Sequence, residues 1–382
     1  MDFSFTEDQN AIRELAHQIF TDRATDEFML GFSRSDATYD DALWTTLAEQ
    51  GLLGICVPEA FGGTGLGFVE LCAILEEQGR RVAPVPLFSS LVLGGLPIAQ
   101  FGSDAQKAQW LAPLAAGEAK LSAAIAELGM TAAMVPAVTA TKDGDNWVLN
   151  GEKHAIADGA VASCILVPAS HDDGSRSFFL VDVNTAGVTV TAQSNFSGDT
   201  KASLALANVK LGSDALLGQQ GQGDAIMAWL EQHADTALAA MQVGVCDEAL
   251  KRTAAFTGER KQFGAPLGSF QAVAMRAADA FIDLEAMRST AWQAMWLLSE
   301  GRDGDIEVRA AKWWACQGSH RVVHACQHLH GGMGADIEYP IHRFFIFAKE
   351  ISFMLGNGAV QLSKLGRLLA DNDDIGVQAL AV

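Results

Sequence analysis

At 382 residues and 49% hydrophobic composition, the chain is long enough for two or three domains around a large buried core. Its 26 Lys and Arg stand against 46 Asp and Glu, a net charge of −20 that repels nucleic acid and anionic membranes, so any site for a polyanionic ligand has to be a local exception. Six cysteines without a CxxC pair read as reduced thiols of a cytosolic protein, and no uncharged stretch is long enough to span a bilayer.

The start, MDFSFTEDQNAIRELAHQIF, enters directly into an amphipathic pattern with acidic residues and reads as neither a signal peptide nor a transit peptide. From Thr6 to about Gly117 apolar residues recur at helical spacing, as in Ile12, Leu15, Ala16 and Ile19 or Leu71, Ile74 and Leu75. From about Leu121 to Leu217 the texture changes to short β-rich runs (PAVTATK, WVLN, SCILVPA, SFFLVDV, GVTVTA) separated by turn signals such as Asp143-Gly144-Asp145. From Gly223 onward long Ala-rich helical segments are broken only at Gly258 to Gly268, Gly301 to Asp305 and Gly331 to Ile337. The expected class is α+β multidomain: an N-terminal all-helical domain (1–117), a central antiparallel β-barrel or sandwich (118–222) and a C-terminal four-helix bundle (223–382).

Two motifs invite functional readings that their contexts reject. GGTGLG at Gly62 to Gly67 fits a dinucleotide-binding template, but no strand precedes it and no βαβ unit surrounds it, so its glycines read as a tight positive-φ loop between helices. His320 and His324 lie four apart on a predicted helix, with Cys326, His328 and His330 beyond, but no Glu lies between the first two; packing and surface histidines before a glycine turn are expected, and no metal.

Three other segments carry chemistry together: LAEQGLLGICVPEAFGGTGLG, ERKQFGAPLGSFQ (Glu259 to Gln271), and HLHGGMG (His328 to Gly334) followed by Glu338-Tyr339-Pro340. With the helical, β, helical order, they resemble the acyl-CoA dehydrogenase family over essentially the whole chain. The resemblance implies an FAD cofactor, and that Arg260 reaches the flavin pyrophosphate and Phe263 packs near the adenosine half, both in a neighbouring subunit's site. A planar, permanently charged guanidinium suits two phosphate oxygens. Gln271, His328, Gly331 and Gly332 complete the expected in-trans set, with His328 standing where the family usually has Gln.

The half of the flavin site that a subunit supplies to itself departs from the pattern. The family's xxTExxxGSD is matched by AIAELGMTAA, with Ala126 for the hydroxyl residue and Ala132-Ala133 for Ser-Asp. Its NGxKxWITN is matched by NGEKHAIAD, with Ala155 and Ala157 for the Trp and Thr, while Asn150, Gly151 and Lys153 remain. Each lost hydrogen bond or aromatic contact is worth about 0.5–1.5 kcal/mol. In the last motif, approximately AKIxxIYEGTxEIQ, this chain reads AKEISFMLGNGAVQ, and Leu355 replaces the catalytic Glu. A leucine accepts no proton, and the base's other familial position, in the helix after the β domain, falls on Ala234.

No catalytic residue is therefore assigned. The leading expectation is the non-catalytic subunit of a heteromeric acyl-CoA dehydrogenase of the steroid-degrading type, a cytoplasmic α2β2 assembly in which this chain completes the FAD site of a catalytic partner that binds the acyl-CoA. A second reading is an active homo-oligomer using Glu231, about one turn from Ala234, or Asp235, about 100° around the helix. A third is a flavin-free CoA-thioester-binding or scaffold protein that keeps only the fold.

Overall fold

A computed structural model describes residues 5–126, 136–195 and 200–371. Ala132 and Ala133, and the acidic residues after Asp371, lie outside them. Six helices form the first layer: α1 (Glu7–Arg23), α2 (Asp26–Phe32), α3 (Asp41–Glu49), α4 (Phe68–Arg81), α5 (Leu96–Phe101) and α6 (Asp104–Ala115). Local chemistry sets their starts. Thr6 Oγ1 accepts from Gln9 N while the Gln9 amide oxygen accepts from Thr6 N, and Ser103 and Gln106 repeat this capping box at α6. The GGTGLG segment is the expected loop before α4, with Gly62 and Gly65 at φ 84° and 66°. A π-helical stretch, Phe88–Gly95, precedes α5 and was not foreseen.

The central strands are β1 (Leu121–Ala123), β2 (Thr139–Asp143), β3 (Asn146–Ile156), β4 (Cys164–Ser170), β5 (Arg176–Asp182), β6 (Val188–Ala192), β7 (Ala202–Leu211) and β8 (Leu216–Leu217). They form one sheet in the order β6-β7-β3-β2-β4-β5-β8, with β1 added alongside β4. Among the described residues this sheet does not close into a barrel, and two pairings, β1 with β4 and β2 with β4, are parallel. The long connections from β1 and β2 to β4 permit a crossover that a short hairpin cannot make.

The C-terminal part contains α7 (Gly223–Glu259), a small hairpin of β9 (Lys261–Gln262) and β10 (Ala265–Pro266), α8 (Gln271–Ser299), α9 (Asp305–Leu329), α10 (Ile341–Phe353) and α11 (Gly358–Asp371). α7 is the axis of the molecule: it packs against α4, α8, α9 and α10, and is almost wholly buried through its middle. Glycine makes the α4 crossing possible. A Cβ at Gly244 would sit 1.9 Å from the Glu76 carbonyl, and one at Gly79 would sit 2.1 Å from that of Met241. The two backbones therefore meet with no side chain between them.

Candidate functional site

Two adjoining cavities lie where the helical layers meet the sheet. The larger, about 510 Å³, is bounded by α2, the chain after α4, α7 and α10, with Tyr39, Leu238, Met241 and Phe347 on its walls. The smaller, about 260 Å³, lies between the π-helical stretch, the ends of β1 and β3 and the turn after α10. They share Phe88, Ala157, Glu350 and Met354. The smaller cavity collects Ala126, Ala155, Ala157 and Leu355, four positions separated by up to 229 residues that the sequence singled out for lacking a functional group.

Leu355 is held in place by the bundle. Lys312, fully buried, gives its ammonium to the Ile351 carbonyl at 3.0 Å, Cys316 Sγ lies 3.4 Å from the Ser352 carbonyl, and Gln242 Nε2 donates to Ala348 O at 3.1 Å. Lys312 and Cys316 thereby serve orphan carbonyls at the C-terminal end of α10, where a cation is also favoured by the helix dipole. Beyond them Leu355 and Gly356 take φ 57° and 99°. Left-handed backbone at a leucine costs energy and persists where surroundings enforce it. The turn keeps this sharp geometry with no carboxylate on it.

The alternative acids are elsewhere. Asp235, fully buried, accepts from Arg309 Nη1 at 2.8 Å and Gln361 Nε2 at 3.2 Å, and burial raises its pKa against the pull of Lys312 and Arg309. Glu231 accepts from Lys364 Nζ at 2.9 Å. Neither lines either cavity, and Ala234 is core. Both acids belong to a polar layer between α7, α9 and α11.

A second cluster of charges does line the cavities, and the sequence reading missed it. Glu350 on α10, 4% exposed, forms an ion pair with Lys201, the residue before β7. Asp158, at the end of the NGEKHAIAD motif, accepts from Ser89 Oγ at 2.6 Å and from Thr200 Oγ1. Burial raises its pKa despite these two donors, and the charge of Glu350 pushes in the same direction. The signal was present in the sequence: Glu350 occupies the Ile of the AKI pattern and Asp158 the final Asn of WITN.

The residues expected to act in trans gather at the other end of the bundle. Phe256, one turn before Arg260, stacks on His330, immediately before Gly331, with centroids 4.4 Å apart, so the loops after α7 and α9 are neighbours. Phe263 and Gly264 take φ 55° and 82° at the tip of the β9–β10 hairpin, the backbone of a two-residue type I′ turn. That conformation is strained for a phenylalanine, and its ring is 94% exposed. Arg260, Gln271, His328, Gly331 and Gly332 are exposed as well. A Cβ at Gly332 would meet nothing within 4 Å and its φ is not left-handed, so nothing inside this chain requires glycine there.

Comparison with known proteins settles the ancestry. The profiles of the acyl-CoA dehydrogenase N-terminal, middle and C-terminal domains match residues 6–118, 122–209 and 221–370. The chain belongs to the acyl-CoA dehydrogenase family. It is 34% identical over 380 residues to acyl-CoA dehydrogenase FadE27 of Mycobacterium tuberculosis, covering 97% of this chain and 99% of that protein. It is similar to a variant of the Tcur3481–Tcur3483 steroid ACAD (42% identity, TM-score 0.88, 96% of this chain and 98% of that one). It is also similar to the ChsE4–ChsE5 complex of Mycobacterium tuberculosis (34%, TM-score 0.91, 97% and 100%). The chain is thus of an oxidoreductase family whose members bind FAD.

The residues of this acyl-CoA dehydrogenase's own ring site do not fit that cofactor. The smaller cavity carries methyl groups at three positions of the expected polar and aromatic partners and an isobutyl group at that of the base, and has a buried carboxylate in its wall. The exposed set at the bundle end does fit: an arginine without an intrachain side-chain partner among the described residues, an outward phenylalanine and an open glycine backbone. Such a set offers a fork for phosphate oxygens and an apolar face for a purine.

Proposed function

We propose that this chain is the non-catalytic subunit of a heteromeric, FAD-dependent acyl-CoA dehydrogenase that desaturates acyl-CoA thioesters. The observation that carries the reading is the one-sided distribution of function: four positions of the chain's own ring site are aliphatic around one small cavity, while the exposed Phe263 hairpin and its neighbours keep Arg260, Gln271, Gly331 and Gly332, with His328 for the usual Gln. Arg260, Phe263, Gln271, His328, Gly331 and Gly332 would hold the pyrophosphate and adenosine end of the partner's FAD. The partner would supply the ring contacts, the base and the acyl-CoA site, in a cytoplasmic α2β2 assembly. Likeness to proteins named as steroid ACAD and as a two-component complex supports bulky, steroid-derived acyl groups.

The test is Arg260→Ala in the complex co-purified with its partner. Losing a charge-assisted phosphate contact worth about 1.5–3 kcal/mol weakens FAD retention roughly 10- to 100-fold. Unchanged FAD content and activity would mean that the retained motif serves only the fold, as in the scaffold reading.

A further inference from the structure

We infer that the Lys201–Glu350 ion pair is an internal plug that takes the place of the flavin ring in this chain's own site. This rests on the non-catalytic reading and explains how the fold persists there without the cofactor. Glu350 and Lys201 wall the same small cavity as Ala126, Ala155, Ala157 and Leu355. Truncating an aromatic and two hydroxyls to alanine leaves volume that a core either fills or leaves as a destabilising void. In this chain an acid replaces the Ile of the AKI pattern, and its carboxylate meets an ammonium arriving from the sheet, joining α10 to the segment before β7 across the gap.

A buried carboxylate is costly unless paired, so the acid and the ammonium work as one device. Asp158 extends it: its carboxylate takes the hydroxyls of Ser89, from the π-helical stretch, and Thr200, beside Lys201. Both carboxylates thus take partners from the chain itself, whereas a site made for a planar ring keeps its polar groups directed at the ring's edge.

The asymmetry of burial makes the pair testable. Glu350 is 4% exposed, whereas Lys201 is 20% exposed and its long stem can turn outward. Four forms of the full chain are compared by thermal melting and by titration with lumiflavin, the isolated ring, and with FAD: wild type, Lys201→Met, Glu350→Leu and the double variant. The expected result is that Lys201→Met melts lowest of the four. Lumiflavin binds the folded double variant at least about tenfold more tightly than wild type, as removal of an excluding charged pair requires. If the double variant does not fold, Glu350→Leu carries the same expectation, because the long stem of a side chain already 20% exposed can turn outward. Unchanged lumiflavin affinity in a folded variant overturns the plug and leaves the non-catalytic reading standing. Wild-type chain that binds FAD in its own site overturns both.

Discussion

Replacing Arg309 by methionine isolates the polar layer that the unusual-base reading would have to use. Arg309 is 6% exposed and bridges Asp235 at 2.8 Å, Asp305 at 3.0 Å and Glu231 at 3.6 Å. Without it Asp235, fully buried, keeps only the 3.2 Å bond from Gln361 and the longer-range field of Lys312 and Lys364. Breaking one side of a buried pair costs about 3–5 kcal/mol, against which the surface contribution of Asp305 is small. The assay is urea unfolding followed by far-ultraviolet circular dichroism, comparing Arg309→Met with Arg309→Met/Asp235→Leu. The midpoint falls in the single variant and recovers by more than half in the double, since an apolar pair removes the orphaned charge. A single variant within about 1 kcal/mol of wild type, or a double as weak as the single, would refute the assignment of Asp235 to the bundle's stability.

His233, stacked on Trp229 at 3.8 Å and edge-on to Phe68, is held at a pKa of about 4 by burial, opposed by its bond to the Trp229 carbonyl. The unfolded chain protonates near 6.5 and the folded chain near 4, so its contribution is complete above pH 6.5 and lost as pH falls toward 4, about 3 kcal/mol in all. Melting temperatures at pH 7 and 4.5 differ less for His233→Leu than for wild type. Gly244→Ala, whose methyl would meet the Glu76 carbonyl, destabilises by about 3 kcal/mol or more, read as a lowered urea midpoint; a neutral outcome would mean that α4 and α7 slide apart freely. Arg260→Ala, by contrast, leaves the melting temperature of the isolated chain unchanged, because the guanidinium has no side-chain partner within it among the described residues.

The helices and strands were legible because their apolar spacing is regular, and α7 through α10 end near the glycine and proline signals that mark their breaks. The parallel pairings of β4 were not, since pairing partners depend on long connections and not on alternation. At the site, what had been lost was readable position by position: Ala126, Ala155, Ala157 and Leu355 each stand against a motif. What replaced it was not. Lys201 and Glu350 lie 149 residues apart, in a strand approach and a helix, and nothing local announces that one neutralises the other. Reading Glu350 as an acid at an inward helical position would have raised the question, but only the packing of α10 on the sheet answers it. The strain at Phe263 is a similar case, because a hairpin signal in the sequence does not reveal that its first central residue is a fully projecting aromatic.

The most direct measurement is the flavin content of the complex purified with its catalytic partner, by absorbance of released FAD against subunit stoichiometry from native mass spectrometry. Division of labour between a subunit that holds the ring and one that completes its far end predicts one FAD for every pair of unlike chains. One FAD for every chain would contradict it.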